Sequence, residues 1–417
     1  MIPPWTSSLV SRLAGKAVSN QSTMLFTTTT LPKGGPLLLG GAAADKLSFC
    51  STTVLPSLMK AQETKECSAP LQDDDDDDAS TVASSSSSSS VAGDGVESDC
   101  HYHTKPEPNP IKRWLCIISS MATLAALWTS ALAFPAALFY TSIKGYWNLL
   151  AVLLTFWASA MLIHFPQCPG IRDYLLRGCE YWFNGVDVIF QDTPMRDHTI
   201  FCYHPHGAIA IGLSSSIRFL FHQLHHHYQS YPVMVASPFL RWFCPTWKIL
   251  FDLCGITFGG AGRKEFKRLL QSGKSCVLVT GGFHEATITC PGTDRIYLNN
   301  GRKGFVRYAL REGYSLTPVY GFGETDTFSN VQGMWGFRYW LNSGTFQIPA
   351  VWGLGHWLCP ILPRREKLRI VYGTPLHLPR IPNPTQEEVD KYHAMYIEKV
   401  RDLYDEYKPY DRHLEVW

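Results

Sequence analysis

Apolar and polar residues divide this 417-residue chain into three regimes. Residues 1 to about 110 show no helical or strand period. Ser, Thr, Gly and Asp dominate there, with an acidic run at 73–78 and a serine run at 84–90. Such tracts cannot bury enough apolar surface to offset the entropy of ordering a chain, so 1–110 is expected to be a disordered tail. Polarity then disappears. Between Arg113 and Lys144, and again from Gly145 to Phe165, there is no Asp, Glu, Lys or Arg. Each stretch reaches the ~20 residues that cross a hydrocarbon core, and Pro135 is tolerable in such a helix. The pattern predicts a helical hairpin over 111–166, either transmembrane or re-entrant, turning at Lys144 and Gly145. Lys112 and Arg113 put its N-terminal side in the cytosol, and a hairpin returns the C-terminal part there too.

From 167 to 417 the pattern is that of an ordinary globular domain. Short apolar runs at 199–203, 233–236, 276–280, 316–320 and 368–372 read as strands. Helical periods at 208–222, 240–254, 262–271 and 304–312 separate them. This alternation predicts α/β layering around a largely parallel sheet. Thr385 and Glu388 form a capping box sequence. It opens a last helix with Val389, Tyr392, Tyr396, Val400, Leu403 and Tyr407 along one face, a stripe that reads as core packing.

Three places carry candidate chemistry. The first strand runs into Tyr203-His204-Pro205-His206-Gly207. Pro205 cannot donate to a sheet, so the strand should end there and present two imidazoles on a strand-to-helix turn. Imidazole is the side chain suited to take a proton near neutrality. The second is Thr280-Gly281-Gly282-Phe283-His284-Glu285, which again follows a strand. Its glycines permit a sharp turn and close approach. Strand ends in a parallel sheet gather at one edge, so Glu285 is expected to project from a strand end toward a histidine, orient its ring and offset its charge. The third is Arg302-Lys303-Gly304-Phe305-Val306-Arg307. Arg302, Lys303 and Arg307 gather at a helix N-terminus, where free N–H groups already favour an anion; a patch touching lipid headgroups is the alternative.

Composition narrows the classes. Thirty-seven basic against thirty-five acidic residues leave a net charge of +2, with no sign of nucleic-acid binding. Thirteen tryptophans suit contact with lipid. The 12 cysteines show no C-x-x-C pair, so reduced thiols and no metal site are expected. Residues 1–44 hold Arg and Lys but no acid up to that point, a composition similar to an organelle-targeting segment, such as one for a plastid.

Together these motifs resemble the diacylglycerol acyltransferase type 2 family, which includes monoacylglycerol and wax-ester acyltransferases. The resemblance runs from about Trp114 to the C-terminus. It takes in the hairpin, the Tyr203–Gly207 turn, Gly281-Gly282-x-x-Glu285, Arg302–Val306, Pro318-Val319-Tyr320-Gly321-Phe322-Gly323-Glu324 and the last helix with Tyr392-His393-Ala394-Met395-Tyr396. It implies a glycerolipid-acyltransferase-like mixed sheet with flanking helices, and an acyl-CoA-dependent O-acyltransferase of the endoplasmic reticulum and lipid droplets. Acyl-CoA is then a co-substrate, diacylglycerol the acceptor, and no bound cofactor is needed. Related glycerolipid acyltransferases place an Asp five residues after the catalytic His. Ile209 and Ile211 stand at those positions here, which leaves Glu285 as the acid. Relatives that replace the first histidine of the turn but keep the second favour His206 as the base, with His204 in support. Gly207, Gly281, Gly282, Arg302, Lys303 and Arg307 are the expected substrate-binding residues. Phe283 and His284 depart from the smaller or amide side chains usual in the family. Other acceptors, monoacylglycerol or a long-chain alcohol, stay open, as do a non-catalytic lipid-binding protein and a homo-oligomer.

Overall fold

Strand β3 (Thr199–His204) is buried along its whole length and lies in the middle of an eight-stranded sheet. The computed structural model describes residues 100–192, 198–227, 231–298, 302–343, 350–409 and 411–417. Its sheet also contains β1 (Cys100–His103), β2 (Val186–Phe190), β4 (Val233–Ala236), β5 (Phe258–Gly260), β6 (Cys276–Val279), β8 (Ser315–Phe322) and β11 (Leu368–Tyr372), in the order β1-β2-β11-β8-β3-β6-β4-β5. The run β8-β3-β6-β4-β5 is parallel throughout. β11 is antiparallel to β8 and parallel to β2, and β1 closes the edge antiparallel to β2. The sheet is therefore mixed, with its parallel part around β3; outside it, β7 (Asp294–Ile296) pairs with β12 (Leu414–Val416) and β9 (Ser329–Asn330) with β10 (Gly353–Leu354).

The expected strands are all present. Most of the expected tail lies outside the described residues, but its boundary moves. Residues 100–103 form β1, with His101 opposite Ile189, so the ordered domain begins before 111. Four residues within a polar stretch gave no period to detect.

The hairpin is helical and turns where expected. Helix α1 (Pro110–Lys144) is capped by the Asn109 side chain, which accepts from the Ile111 and Lys112 N–H groups. It ends at Gly145, φ 69°, in the left-handed region that favours glycine. Helix α2 (Trp147–Leu162) has 16 residues. Only α1 is long and apolar enough to cross a membrane among the described helices; α2, at ~1.5 Å per residue, falls short of a ~30 Å core. α1 also packs on the domain. Cys116, Ile117 and Met121 are buried with Tyr181 and Trp182 of α3 (Pro169–Trp182), and the Cys116 thiol donates to the Tyr174 carbonyl at 3.0 Å. Elsewhere α1 and α2 leave large apolar side chains exposed, among them Ile118, Leu132, Phe139, Ile143, Leu149 and Leu162.

Two apolar layers cover the sheet, and the period of two in β3 divides them. Phe201 and Tyr203 join α1, α3 and α4 (Ile211–His227) on one face. Ile200 and Cys202 join the other face, with α7 (Arg263–Gln271), α9 (Gly304–Glu312) and α11 (Gln386–Tyr407). The Thr385–Glu388 capping box opens α11 as expected, and Val389, Tyr396, Val400 and Leu403 are core. The single helix expected over 240–254 is two, α5 (Pro238–Phe243) and α6 (Pro245–Leu253), because Pro245 starts a new helix at its first position.

Candidate active site

Three adjacent parallel strands deliver the site. β3 ends at His204, with β6 and β8 as its neighbours. After β6 the chain passes through Thr280 and Gly281 into α8 (Gly282–Ile288), which carries Glu285. After β8 it passes through Gly323 into a 3₁₀ turn that opens with Glu324. The histidine turn therefore lies between two buried carboxylates. Glu285 stands in the first turn of a helix, not on a strand end, because the two glycines start a helix at once.

The alternation of β3 decides what the two histidines do. His204 falls on the face of Ile200 and Cys202, toward α11, and is fully buried. Its Nδ1 lies 3.3 Å from Glu285 Oε2. A carboxylate only accepts, so Nδ1 carries the hydrogen. Its Nε2 lies 2.7 Å from the Thr280 hydroxyl and 3.1 Å from the Tyr396 hydroxyl. Both ring nitrogens are occupied.

Past the cis His204–Pro205 peptide, His206 is the only residue of 201–207 that is not fully buried. Its Nδ1 lies 3.1 Å from the Gly207 carbonyl, which only accepts. Nδ1 is therefore the protonated nitrogen, and Nε2 keeps a free lone pair. His206 lines a cavity of about 440 Å³. His204 does not. Burial lowers the pKa of His206 from its ordinary 6.5, an effect that Glu285 opposes and Arg302 assists. The imidazole is thus neutral at physiological pH, the form that accepts a proton.

Glu285 does not touch the His206 ring, contrary to expectation. The Gly207 carbonyl fixes that tautomer instead. The Glu285 carboxylate accepts the His206 backbone N–H at 2.6 Å and the Tyr297 N–H at 2.9 Å, besides pairing with His204. Burial would raise its pKa, but His204, the Tyr297 N–H and the His206 imidazole outweigh burial and hold it below the usual carboxylate value. Gly281 is required here. A Cβ on it would fall 2.0 Å from Glu285 Oε2. On the other side, Glu324 accepts from the Tyr203 hydroxyl at 2.7 Å and from the N–H groups of Ile211 and Gly212 at 3.0 and 2.6 Å. Burial dominates and raises its pKa to about 8. Gly207, φ 59°, packs against it: a Cβ there would lie 2.9 Å from Glu324 Cγ. Gly207 and Gly281 thus serve the framework and do not line the cavity, whereas Gly282 does.

The cavity wall is mostly apolar. Trp128 of α1, Leu213, Trp247, Phe251, Phe283 and Phe305 contribute to it. Of the three expected cations only Arg302 lines it. Burial lowers the Arg302 pKa, its guanidinium lies 5.9 Å over the Tyr297 ring, and it donates to His284 Nδ1. His284, with its pKa lowered to about 4 by burial and by Arg302, stacks on Tyr339 of α10 (Trp335–Ser343) and so fixes the arginine from behind. Lys303 is paired with Asp390 at 2.8 Å. Arg307 donates to Gln386 Oε1 at 2.5 Å and the Pro384 carbonyl at 3.4 Å. The N-terminus of α11 has drawn both away. A second cation at the cavity is Arg263, exposed at the start of α7. No motif marked it, because it comes from a remote surface helix. Thr280, Tyr297 and Tyr396 also escaped notice as site residues. Glu324 left one signal, a Gly-x-Gly-Glu sequence just after a strand.

A neutral imidazole with a free nitrogen, on the wall of an apolar cavity with a half-buried cation beside it, suits acyl transfer between lipid groups. The comparisons agree. The diacylglycerol acyltransferase family model matches residues 142–414, and the chain belongs to that family. It is an acyltransferase. Diacylglycerol O-acyltransferase 2 of Bos taurus is 27% identical over 328 residues, which cover 72% of this chain and 86% of the bovine one. The protein of the same name from Dictyostelium discoideum is 29% identical, over 62% of this chain and 85% of its own. Human acyl-CoA wax alcohol acyltransferase 2 is 28% identical, over 69% and 90%. The crystal structure of the 1-acyl-sn-glycerophosphate (LPA) acyltransferase PlsC from Thermotoga maritima superposes with a TM-score of 0.33 at 14% identity, covering 72% of this chain and 99% of that one.

Proposed function

We propose that this acyltransferase moves the fatty acyl group of an acyl-CoA onto the free hydroxyl of diacylglycerol, giving triacylglycerol and CoA. The observation that carries the assignment of roles is the unengaged Nε2 of His206 at the cavity wall. In this reading Nε2 removes the hydroxyl proton as the oxygen attacks the thioester carbonyl. The tetrahedral adduct collapses, the C–S bond breaks, and the imidazolium returns the proton to the departing sulfur. Glu285 acts through the main chain: it holds the His206 N–H and offsets the imidazolium charge. His204, Thr280 and Tyr396 keep Glu285 in place. Arg302, with Arg263, holds an anionic group of the acyl-CoA, and the apolar wall accepts the chains.

In this reading the hairpin lies in the bilayer of the endoplasmic reticulum, with the domain on the cytosolic side and access to lipid droplets. Its exposed apolar side chains and the flanking Lys112 and Arg113 support this. Trp128 then brings the cavity wall to the membrane helix, so that a lipid acceptor arrives without crossing water. A long-chain alcohol is the second acceptor reading, favoured by the wax alcohol relatives. Membranes containing the protein, given labelled acyl-CoA with diacylglycerol, monoacylglycerol or a long-chain alcohol in turn, should yield labelled triacylglycerol fastest. Labelled ester from the alcohol alone would overturn the diacylglycerol reading.

A further inference from the structure

Trp357 and Leu358 are among the most exposed large apolar residues described, at 81% and 69%. They do not lie on a loose segment. The Gly355 N–H donates to the Pro360 carbonyl at 2.8 Å, His356 N–H to Leu362 at 2.7 Å, Cys359 N–H to His356 at 3.1 Å and Leu362 N–H to Cys359 at 2.9 Å. A turn closed by four main-chain hydrogen bonds thus presents an indole and an isobutyl group outward. Isolated exposed apolar residues are ordinary, but a rigid Trp-Leu tip is a contact surface awaiting an apolar phase.

What surrounds the tip identifies that phase. The His356 ring packs edge-on against Trp182 at 5.3 Å. The Arg365 guanidinium lies 4.4 Å over Trp182 and 5.8 Å over Trp114. Trp114 stands near the start of α1, beside Lys112 and Arg113, and is itself half exposed. The tip is thereby joined through two tryptophans to the end of the hairpin where α1 meets the headgroup region. Arg365 lies in this stack, Arg113 sits 5.8 Å over the neighbouring Tyr181 ring, and Lys112 precedes it on the first turn of α1, whereas Lys367 is paired with Asp187 at 3.6 Å. An apolar tip beside basic residues and interfacial tryptophans complements a leaflet containing anionic lipid.

We propose that the Trp357–Leu358 turn is a second membrane contact, seated in the leaflet that receives the start of α1, with Lys112, Arg113 and Arg365 at the anionic headgroups. Two separated contacts fix the tilt of the domain on the bilayer, which one hairpin leaves free to rotate. The proposal rests on the reading that the hairpin lies in a bilayer.

The test uses the full chain in phosphatidylcholine vesicles with and without phosphatidylserine. A photo-crosslinking amino acid is placed at Trp357, at Leu132 on the hairpin, or at Met395, exposed on α11 across the sheet. The probe at Trp357 should label lipid as the Leu132 probe does, and more so with phosphatidylserine; the Met395 probe should not. Labelling at the Met395 level, or adducts with protein in place of lipid, would overturn the proposal. In parallel, Trp357→Glu with Leu358→Glu should raise the KM for vesicle-borne diacylglycerol several-fold and leave the acyl-CoA KM unchanged. Trp357→Ala with Leu358→Ala serves where the acidic pair does not fold. Unchanged diacylglycerol KM in both pairs would also count against it. Lipid labelling without acyl transfer by the unsubstituted protein would refute the enzymatic reading and leave the contact standing.

Discussion

The two sides of the histidine turn use the same residue type to opposite ends. On the β6 side, Glu285 meets His204 and two backbone N–H groups, and the favourable charge interactions win against burial. On the β8 side, Glu324 meets a phenol and two N–H groups with no cation opposite among the described residues, and burial wins, with a pKa raised to about 8. Glu285 is therefore a charge placed to influence the neighbouring imidazole. Glu324 is largely a neutral hydrogen-bonding clamp at neutral pH, tying β8 to the start of α4. Burial alone does not set the state of a carboxyl group; the partner opposite it does.

The largest expected effect falls where the two sides meet. His206→Ala should lower kcat by ~10²–10⁴-fold, the usual worth of a positioned base, with both KM values and the melting temperature little changed. His204→Ala should show the contrasting pattern. It takes a hydrogen-bond partner from a buried carboxylate, a loss on the order of 1–3 kcal/mol for an unsatisfied buried group, visible as a drop in melting temperature. Near-normal kcat in folded His206→Ala protein would remove the basis for the roles assigned here.

Glu285→Gln and Glu324→Gln then separate the carboxylates. Charge-assisted hydrogen bonds are worth ~1.5–3 kcal/mol each, so Glu285→Gln should cost roughly tenfold or more in kcat/KM. The anion raises the His206 pKa, so its removal should also shift the acid limb of the pH–rate profile to lower pH. Glu324→Gln replaces a mostly neutral group by a neutral one and should leave that limb in place. Equal shifts in the two variants would erase the distinction. Arg302→Gln should move the limb the other way, to higher pH, because Arg302 lowers the His206 pKa. It should raise the acyl-CoA KM about tenfold, by loss of one contact of the same kind. Lys303→Gln, already engaged with Asp390, should change that KM little.

The remaining effect is one of stability. Glu324 has a folded pKa above its ordinary 4.5. The stability linked to its proton is full below 4.5 and is lost as pH rises toward about 8. Glu285 has the opposite sign: its contribution is present above 4.5 and is lost as pH falls through its lowered folded pKa. The melting temperature of Glu324→Gln relative to the unsubstituted protein should therefore climb between pH 4.5 and 8. A flat difference would mean that Glu324 is charged throughout.

Much of this was legible from the chain. Strands buried on both faces give continuous apolar runs, so β3, β4, β6, β8 and β11 stood out. The uncharged stretches gave the hairpin and its turn. β1 is too short and polar to show a period, and α2 came out shorter than its uncharged stretch because Ile163 leaves the helix in an extended conformation. Motif spacing also picked out His204, His206, Glu285 and Arg302. It did not separate Arg302 from Lys303 and Arg307, since adjacent residues on a helix start point in different directions, and only the position of α11 decides which of them finds an acid.

By itself, the sequence determined which residue types stand at the ends of β3 and β6, because strand length and the prolines and glycines that end strands are local properties. It also determined the long uncharged stretch, because hydropathy is a sum along the chain. The tertiary structure decided that His204 is buried and His206 faces the cavity, that Glu285 accepts the His206 backbone N–H, and that Arg263 lines the cavity where Lys303 and Arg307 do not. Those outcomes depend on what lies opposite each side chain: Tyr396 and Asp390 come from a helix about 190 and 90 residues away along the chain. Contacts across such separations depend on the packing of whole layers, which no local pattern encodes.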